Sequence, residues 1–203
     1  MRVLFRKSFD HVERYAADWS AANERALATE GPLWVVLGDS AAQGVGASSY
    51  ERGWVGVVLE RLRADGTPWR VVNLSRSGAR TREVLEQQWP LAGELEAALV
   101  TAVVGGNDAR LTRRHQWERD AADLVAALPP GAVMSTTARG LFERKTAAVN
   151  ARIRVLAAER GLRLADLWEH TGPPYRGLYF DGLHPNDKGY LQWADAVWSA
   201  VRP

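Results

Sequence analysis

The stretch Gly31-Pro32-Leu33-Trp34-Val35-Val36-Leu37-Gly38-Asp39-Ser40 decides the architecture. A short apolar run with β-branched members, opened by Gly-Pro and closed by small polar residues, is the pattern of a buried strand. It predicts a strand over 33–38, with Ser40 where that strand hands over to a loop and then a helix. In open α/β sheets ligands bind at this carboxyl edge. Working outward, the apolar runs 69–74, 99–104, 132–136 and 162–166 read as further strands. Helical stretches lie between them at about 51–64, 80–89, 116–128 and 142–160, with a last one at about 187–201. Gly66, Pro129-Pro130-Gly131 and Gly161 punctuate the helix ends. Upstream, Phe9, Val12, Tyr15/Ala16, Trp19, Ala22 and Ala26/Leu27 recur at the spacing of an amphipathic helix over about 8–30.

Strand–helix alternation implies a parallel sheet covered on both faces. Right-handed crossovers leave few topologies. The expected fold class is α/β: a three-layer α/β/α sandwich around a central, mainly parallel, five-stranded sheet. The 203 residues suit one domain, 1–203, on which residues 1–30 pack as an N-terminal helical extension.

Composition narrows the function. Lys and Arg exceed Asp and Glu by 26 to 24, and the arginines are scattered beside acids along helices. That is a solvated helix surface, so no nucleic-acid partner is expected. With no cysteine, thiolate nucleophiles, disulfides and Cys-based metal sites are excluded. No apolar run approaches the roughly 20 residues that span a bilayer. No stable membrane insertion is expected, no signal peptide is visible, and a cytoplasmic location is the expectation. Oligomeric state is not readable from the sequence.

Serine attack on an acyl carbon needs a base for the hydroxyl proton, an acid to orient that base, and donors for the oxyanion. The ends of the first three predicted strands and the loop before the last helix offer the candidates. Ser40 follows the first strand. Gly78 follows the second, in Ser75-Arg76-Ser77-Gly78-Ala79. Asn107 follows the third, in Gly105-Gly106-Asn107-Asp108. Asp181 and His184 lie in Asp181-Gly182-Leu183-His184-Pro185 before the last helix. In a parallel sheet these loops open on one edge, and their convergence carries the argument. Asp39 and Asp108 read as structural hydrogen-bonders rather than catalytic acids.

These motifs, in this order, resemble the SGNH hydrolase family, the GDSL-type esterases and lipases. The resemblance spans residues 34–190. It implies a flavodoxin-like fold and a serine esterase that works through an acyl-Ser40 intermediate on a small-molecule ester, with no metal and no cofactor. Ser40 would be the nucleophile, His184 the general base and then acid, and Asp181 the residue that fixes the imidazole. The oxyanion hole would be the backbone N–H groups of Ser40 and Gly78 plus the Asn107 amide. Where many members carry an aliphatic residue after the serine, this chain has Ala41, which weakens any inference toward a long-chain lipid; esters of short or medium acyl groups are the expected substrates. A carbohydrate or natural-product deacetylase fits that size.

Arg139 follows the fourth strand, and Tyr175 and Phe180 lie in the long irregular stretch 167–186; these three are the expected substrate contacts. Loops of that length in a compact domain are usually functional. Two other readings stand beside the esterase: an acyltransferase using the same acyl-enzyme, and a non-catalytic small-molecule-binding module on the same fold. A phosphate-binding loop is disfavoured, because 38–46 lacks the Lys-Ser/Thr ending of a P-loop and 44–49 lacks the last glycine of a dinucleotide fingerprint.

Overall fold

The computed structural model describes residues 2–140 and 142–202; Met1, Leu141 and Pro203 lie outside the described residues. The chain opens with α1 (Arg2–Leu27), followed by β1 (Leu33–Gly38), α2 (Trp54–Leu62) and β2 (Arg70–Asn73). Then come α3 (Thr81–Glu83), a π-helical turn over Val84–Gln88, and α4 (Trp89–Gly93). The second half runs β3 (Leu99–Val103), α5 (Gly106–Leu111), α6 (Arg114–Ala127), β4 (Val133–Ser135), α7 (Glu143–Glu159), β5 (Arg163–Ala165), α8 (Leu167–His170) and α9 (Asp187–Val201).

Among the described residues the strands form one all-parallel sheet in the order β2-β1-β3-β4-β5. The strand order reverses between β1 and β3, so the crevice above their carboxyl ends is the topological switch point where such sheets bind ligands. β1 is buried along its whole length. Trp34 and Val36 face the core that contains Trp54, Val58, Tyr190 and Val197, from α2 and α9. Leu33, Val35 and Leu37 face Trp117, Leu124, Val149 and Ile153, from α6 and α7. This two-sided burial is why the strand reads as a continuous apolar run. Trp34 keeps its indole N–H satisfied by donating to Thr101 Oγ1 on β3 at 3.0 Å.

The five strands fall where the sequence places them. Two short helices, α5 and α8, arise in stretches read as loops. Helix 80–89 extends past Pro90 to Gly93, and the π-helical turn over Val84–Gln88 immediately precedes the α4 segment that holds the proline. No helix of the described residues is long and apolar enough to cross a membrane.

Candidate active site

The site begins with the turn that ends β1. A Cβ on Gly38 would lie 2.5 Å from the Val103 carbonyl oxygen and 2.9 Å from Ala42 Cβ, so only glycine lets the chain turn this close to β3. The Gly38 N–H donates to Gln88 Oε1, and the Gly38 carbonyl accepts from Gln88 Nε2, both at 2.8 Å. Gln88 sits on the π-helical turn and is 1% exposed; the Gly38 carbonyl also accepts from the Arg76 N–H at 3.2 Å, so both the Gln88 amide and the chain after β2 hold the end of β1. Asp39 Oδ1 accepts from the Ala41 N–H at 2.9 Å, and its carbonyl accepts from the Ala42 and Gln43 N–H groups. This wraps the loop after Ser40 into a tight turn. Gln43 Nε2 donates to the Ser75 carbonyl and Asn73 Nδ2 to the Ala42 carbonyl, tying that loop to the one after β2.

The loop before α9 presents the second half. Asp181 Oδ1 accepts from the Leu183 and His184 N–H groups at 2.9 and 2.7 Å. Its Oδ2 meets His184 Nδ1 at 2.8 Å, and His184 Nε2 meets Ser40 Oγ at 2.9 Å. The loop is closed by the Phe180 N–H, which donates to the His184 carbonyl at 2.9 Å. Ser40, His184 and Asp181 therefore stand in one hydrogen-bonded line, although 144 residues separate the serine from the histidine. With Nδ1–H directed at the Asp181 carboxylate, Nε2 is left as the acceptor for the serine hydroxyl. Side-chain exposures of 13% for His184 and 6% for Asp181 keep this line out of bulk water, and the lower local dielectric strengthens the charge interactions within it.

Gly78 adopts φ +84°, with open space where a Cβ would point. Among the described residues neither its N–H nor that of Ser40 has an intramolecular acceptor, so both donors are free to meet a ligand. Asn107 Nδ2 donates to the Ala79 carbonyl at 3.0 Å and approaches Asp39 Oδ2 at 3.5 Å. Behind it Asp108, fully buried, accepts from the Thr81 N–H, the Thr81 hydroxyl and the Thr112 hydroxyl, which locks the loop after β3 to the loop after β2. Gly105 holds φ +128° with a virtual Cβ 2.1 Å from Thr137 Oγ1, another position that admits only glycine.

A cavity of about 580 Å³ opens beside Asp39, Gly106 and Gly182 and runs over the ends of β3 and β4. Its wall is largely apolar and includes Val103, Val104, Ala109, Leu167, Leu183 and Trp193. The volume is that of a small-molecule pocket. Of the three expected substrate contacts, Arg139 and Tyr175 line it. The Arg139 guanidinium is committed sideways: it stacks 4.9 Å over the Trp168 ring, and Nε donates to the Trp168 carbonyl. Phe180 is not in this lining; its ring stacks on His11 of α1. Gln43, Asn73 and Gln88 are the site-building residues that sequence reading passes over, since buried amides carry no periodic signal. Among the described residues no group of three or more His, Asp or Glu side chains gathers as a metal-binding cluster.

Asp39 is 6% exposed, and burial pushes its carboxyl up to about 6, against the opposing pull of the Ala41 N–H bond and of His184. A raised carboxyl pKa means that the folded state keeps a proton which the unfolded chain has released. Its contribution to stability is therefore present at low pH and is lost as pH rises from about 4 to about 6. Asp39→Asn keeps an oxygen for the Ala41 N–H and removes the titration. Urea unfolding is expected to show a shallower loss of stability between pH 4.5 and 7 in the variant, by roughly 1–3 kcal/mol. Parallel slopes in the two proteins would refute it.

Comparison with known proteins adds the following. The model of the GDSL-like Lipase/Acylhydrolase family matches residues 36–191. Esterase TesA of Pseudomonas aeruginosa is 28% identical over 176 residues, covering 83% of this chain and 87% of its own. A crystal structure of TesA superposes with TM-score 0.72 at 26% identity, covering 84% of this chain and 98% of that one. The W215I variant of Axe2, an acetyl xylan esterase from Geobacillus stearothermophilus, shares the fold at TM-score 0.69 and 19% identity, covering 86% of this chain and 98% of that one.

Proposed function

Since the chain belongs to the GDSL-like lipase/acylhydrolase family and is a carboxylic ester hydrolase, we propose that Ser40, His184 and Asp181 form its catalytic triad and that it cleaves esters of short or medium acyl groups through an acyl-Ser40 intermediate. The observation that carries the reading is the line Ser40 Oγ–His184 Nε2–Asp181 at 2.9 and 2.8 Å. In the first step His184 Nε2 takes the Ser40 proton as Oγ attacks the ester carbonyl. Asp181 holds the ring in the tautomer with Nδ1 protonated and steadies the imidazolium. The carbonyl oxygen becomes an oxyanion facing the Ser40 and Gly78 N–H groups and the Asn107 amide, whose long contact to Asp39 is the one that can be given up. Imidazolium then protonates the leaving alkoxide, and acyl-Ser40 remains. Water, deprotonated by His184, releases the acid and restores Ser40.

The largely apolar wall of the cavity beside Asp39 and Gly182 suits an acyl group. A fluorophosphonate is expected to give a single adduct on Ser40 by intact mass and peptide mapping, with loss of p-nitrophenyl butyrate turnover in proportion. In the same assay acetyl and butyryl esters are expected to turn over faster than palmitoyl. A folded protein that takes no adduct would leave the binding-module reading in place.

A further inference from the structure

The model of the family begins at residue 36, yet α1, which lies wholly before it, reaches the site. Its inward stripe is His11, Tyr15, Trp19 and Asn23, at the four-residue spacing that puts side chains on one helix face. Each of the four makes a specific bond. Asn23 exchanges two hydrogen bonds with the Asn73 backbone, at 2.9 and 2.8 Å. Trp19 Nε1 donates to the Gln43 carbonyl at 3.1 Å. Tyr15 OH donates to the Ala47 carbonyl at 2.8 Å. His11 Nδ1 accepts from the Gly46 N–H at 3.4 Å. Trp19 and Tyr15 are buried, so the helix is anchored independently of its first turn.

His11 does more than continue the row. Its ring stacks on Phe180, with centroids 4.9 Å apart and planes at 22°. Phe180 is the neighbour of Asp181 and donates its N–H to the His184 carbonyl. Gly46 closes the same junction from the other side. A Cβ there would lie 2.4 Å from the Pro185 carbonyl oxygen and 2.9 Å from His184 Cβ, and φ is +100°. His11 thus touches both the loop that follows Ser40 and the loop that carries Asp181 and His184. An acceptor at Nδ1 requires the neutral ring, a form favoured by partial burial and by the Arg14 charge beside it.

We propose that His11 is a positioning residue for ester hydrolysis: its ring, stacked on Phe180 and seated against Gly46, holds the base-bearing loop at working distance from Ser40. The inference rests on the triad reading above. Displacing a reacting group by about 1 Å can cost about a hundredfold in rate, and loss of one stacked ring that braces a loop is expected to cost less, about tenfold.

The test is steady-state hydrolysis of p-nitrophenyl butyrate by the full chain carrying His11→Ala or His11→Phe, with melting temperature and fluorophosphonate labelling measured alongside. His11→Ala is expected to lower kcat about tenfold with KM within about twofold, while Ser40 still labels to full stoichiometry. His11→Phe, which keeps the stack, is expected to recover most of kcat. A kcat within twofold of wild type in His11→Ala would overturn the proposal. So would an equal loss in both variants, because the ring would then not be what positions the loop. Full labelling of Ser40 with altered kcat keeps a failure of the brace apart from a failure of the triad, which would appear as no labelling in wild type.

Discussion

Ser40→Ala is expected to lower kcat on p-nitrophenyl acetate and butyrate by roughly 10⁴- to 10⁶-fold, with the circular dichroism spectrum unchanged and melting within a few degrees of wild type. The size of the loss follows from the geometry. The hydroxyl removed is the atom hydrogen-bonded to His184 Nε2 at 2.9 Å, and His184 is aimed there by Asp181. Nothing else about the turn depends on it: Gly38 is held by Gln88, and Asp39 by the N–H of Ala41. Members of a proposed triad act as a unit, so adding His184→Ala to Ser40→Ala is expected to cost little more. Turnover within tenfold of wild type in Ser40→Ala would remove the serine from the chemistry.

Asn107→Ala is expected to lower kcat by about 10²- to 10³-fold with KM nearly unchanged. The amide sits where α5 begins, on a loop fixed by the three bonds into Asp108, so its donor is placed before substrate arrives. In the resting enzyme that donor is shared between Ala79 and Asp39. A developing oxyanion is a better acceptor than the neutral Ala79 carbonyl, and the Asp39 contact is long at 3.5 Å, so the interaction strengthens as charge develops and appears in kcat. The Ala79 carbonyl loses a partner in the variant, for which a stability loss of about 1 kcal/mol is expected in urea unfolding. An unchanged kcat with raised KM would make Asn107 a substrate binder instead of an oxyanion donor.

The sequence was legible where one physical rule dominates. A strand buried on both faces must be apolar throughout, so β1 and β3 are readable and their order with the helices sets a parallel sheet. Short polar motifs at strand ends are readable because parallel topology leaves them a common edge. Asp181 and His184 are three residues apart, and their mutual bond is already local. Other features resisted for equally physical reasons. α5 begins in Gly105-Gly106-Asn107, a turn signature, and is held by Asp108, which is bound by Thr81 and Thr112. The π-helical turn exists to deliver Gln88 to Gly38, a partner 50 residues away. On α1 the apolar reading selects Phe9, which is 68% exposed, and passes over His11 and Asn23, whose partners are backbone groups of distant loops.

Sequence alone thus determined the α/β sheet, the family and the candidate reacting side chains, because hydrophobic period and short-range motif are properties of neighbouring residues. Tertiary structure alone decided the distances within the Ser40–His184–Asp181 line, the shape of the cavity beside it and the inward face of α1. Those depend on which loops the fold brings together, and contacts between residues tens to more than a hundred positions apart leave no periodic trace in the chain.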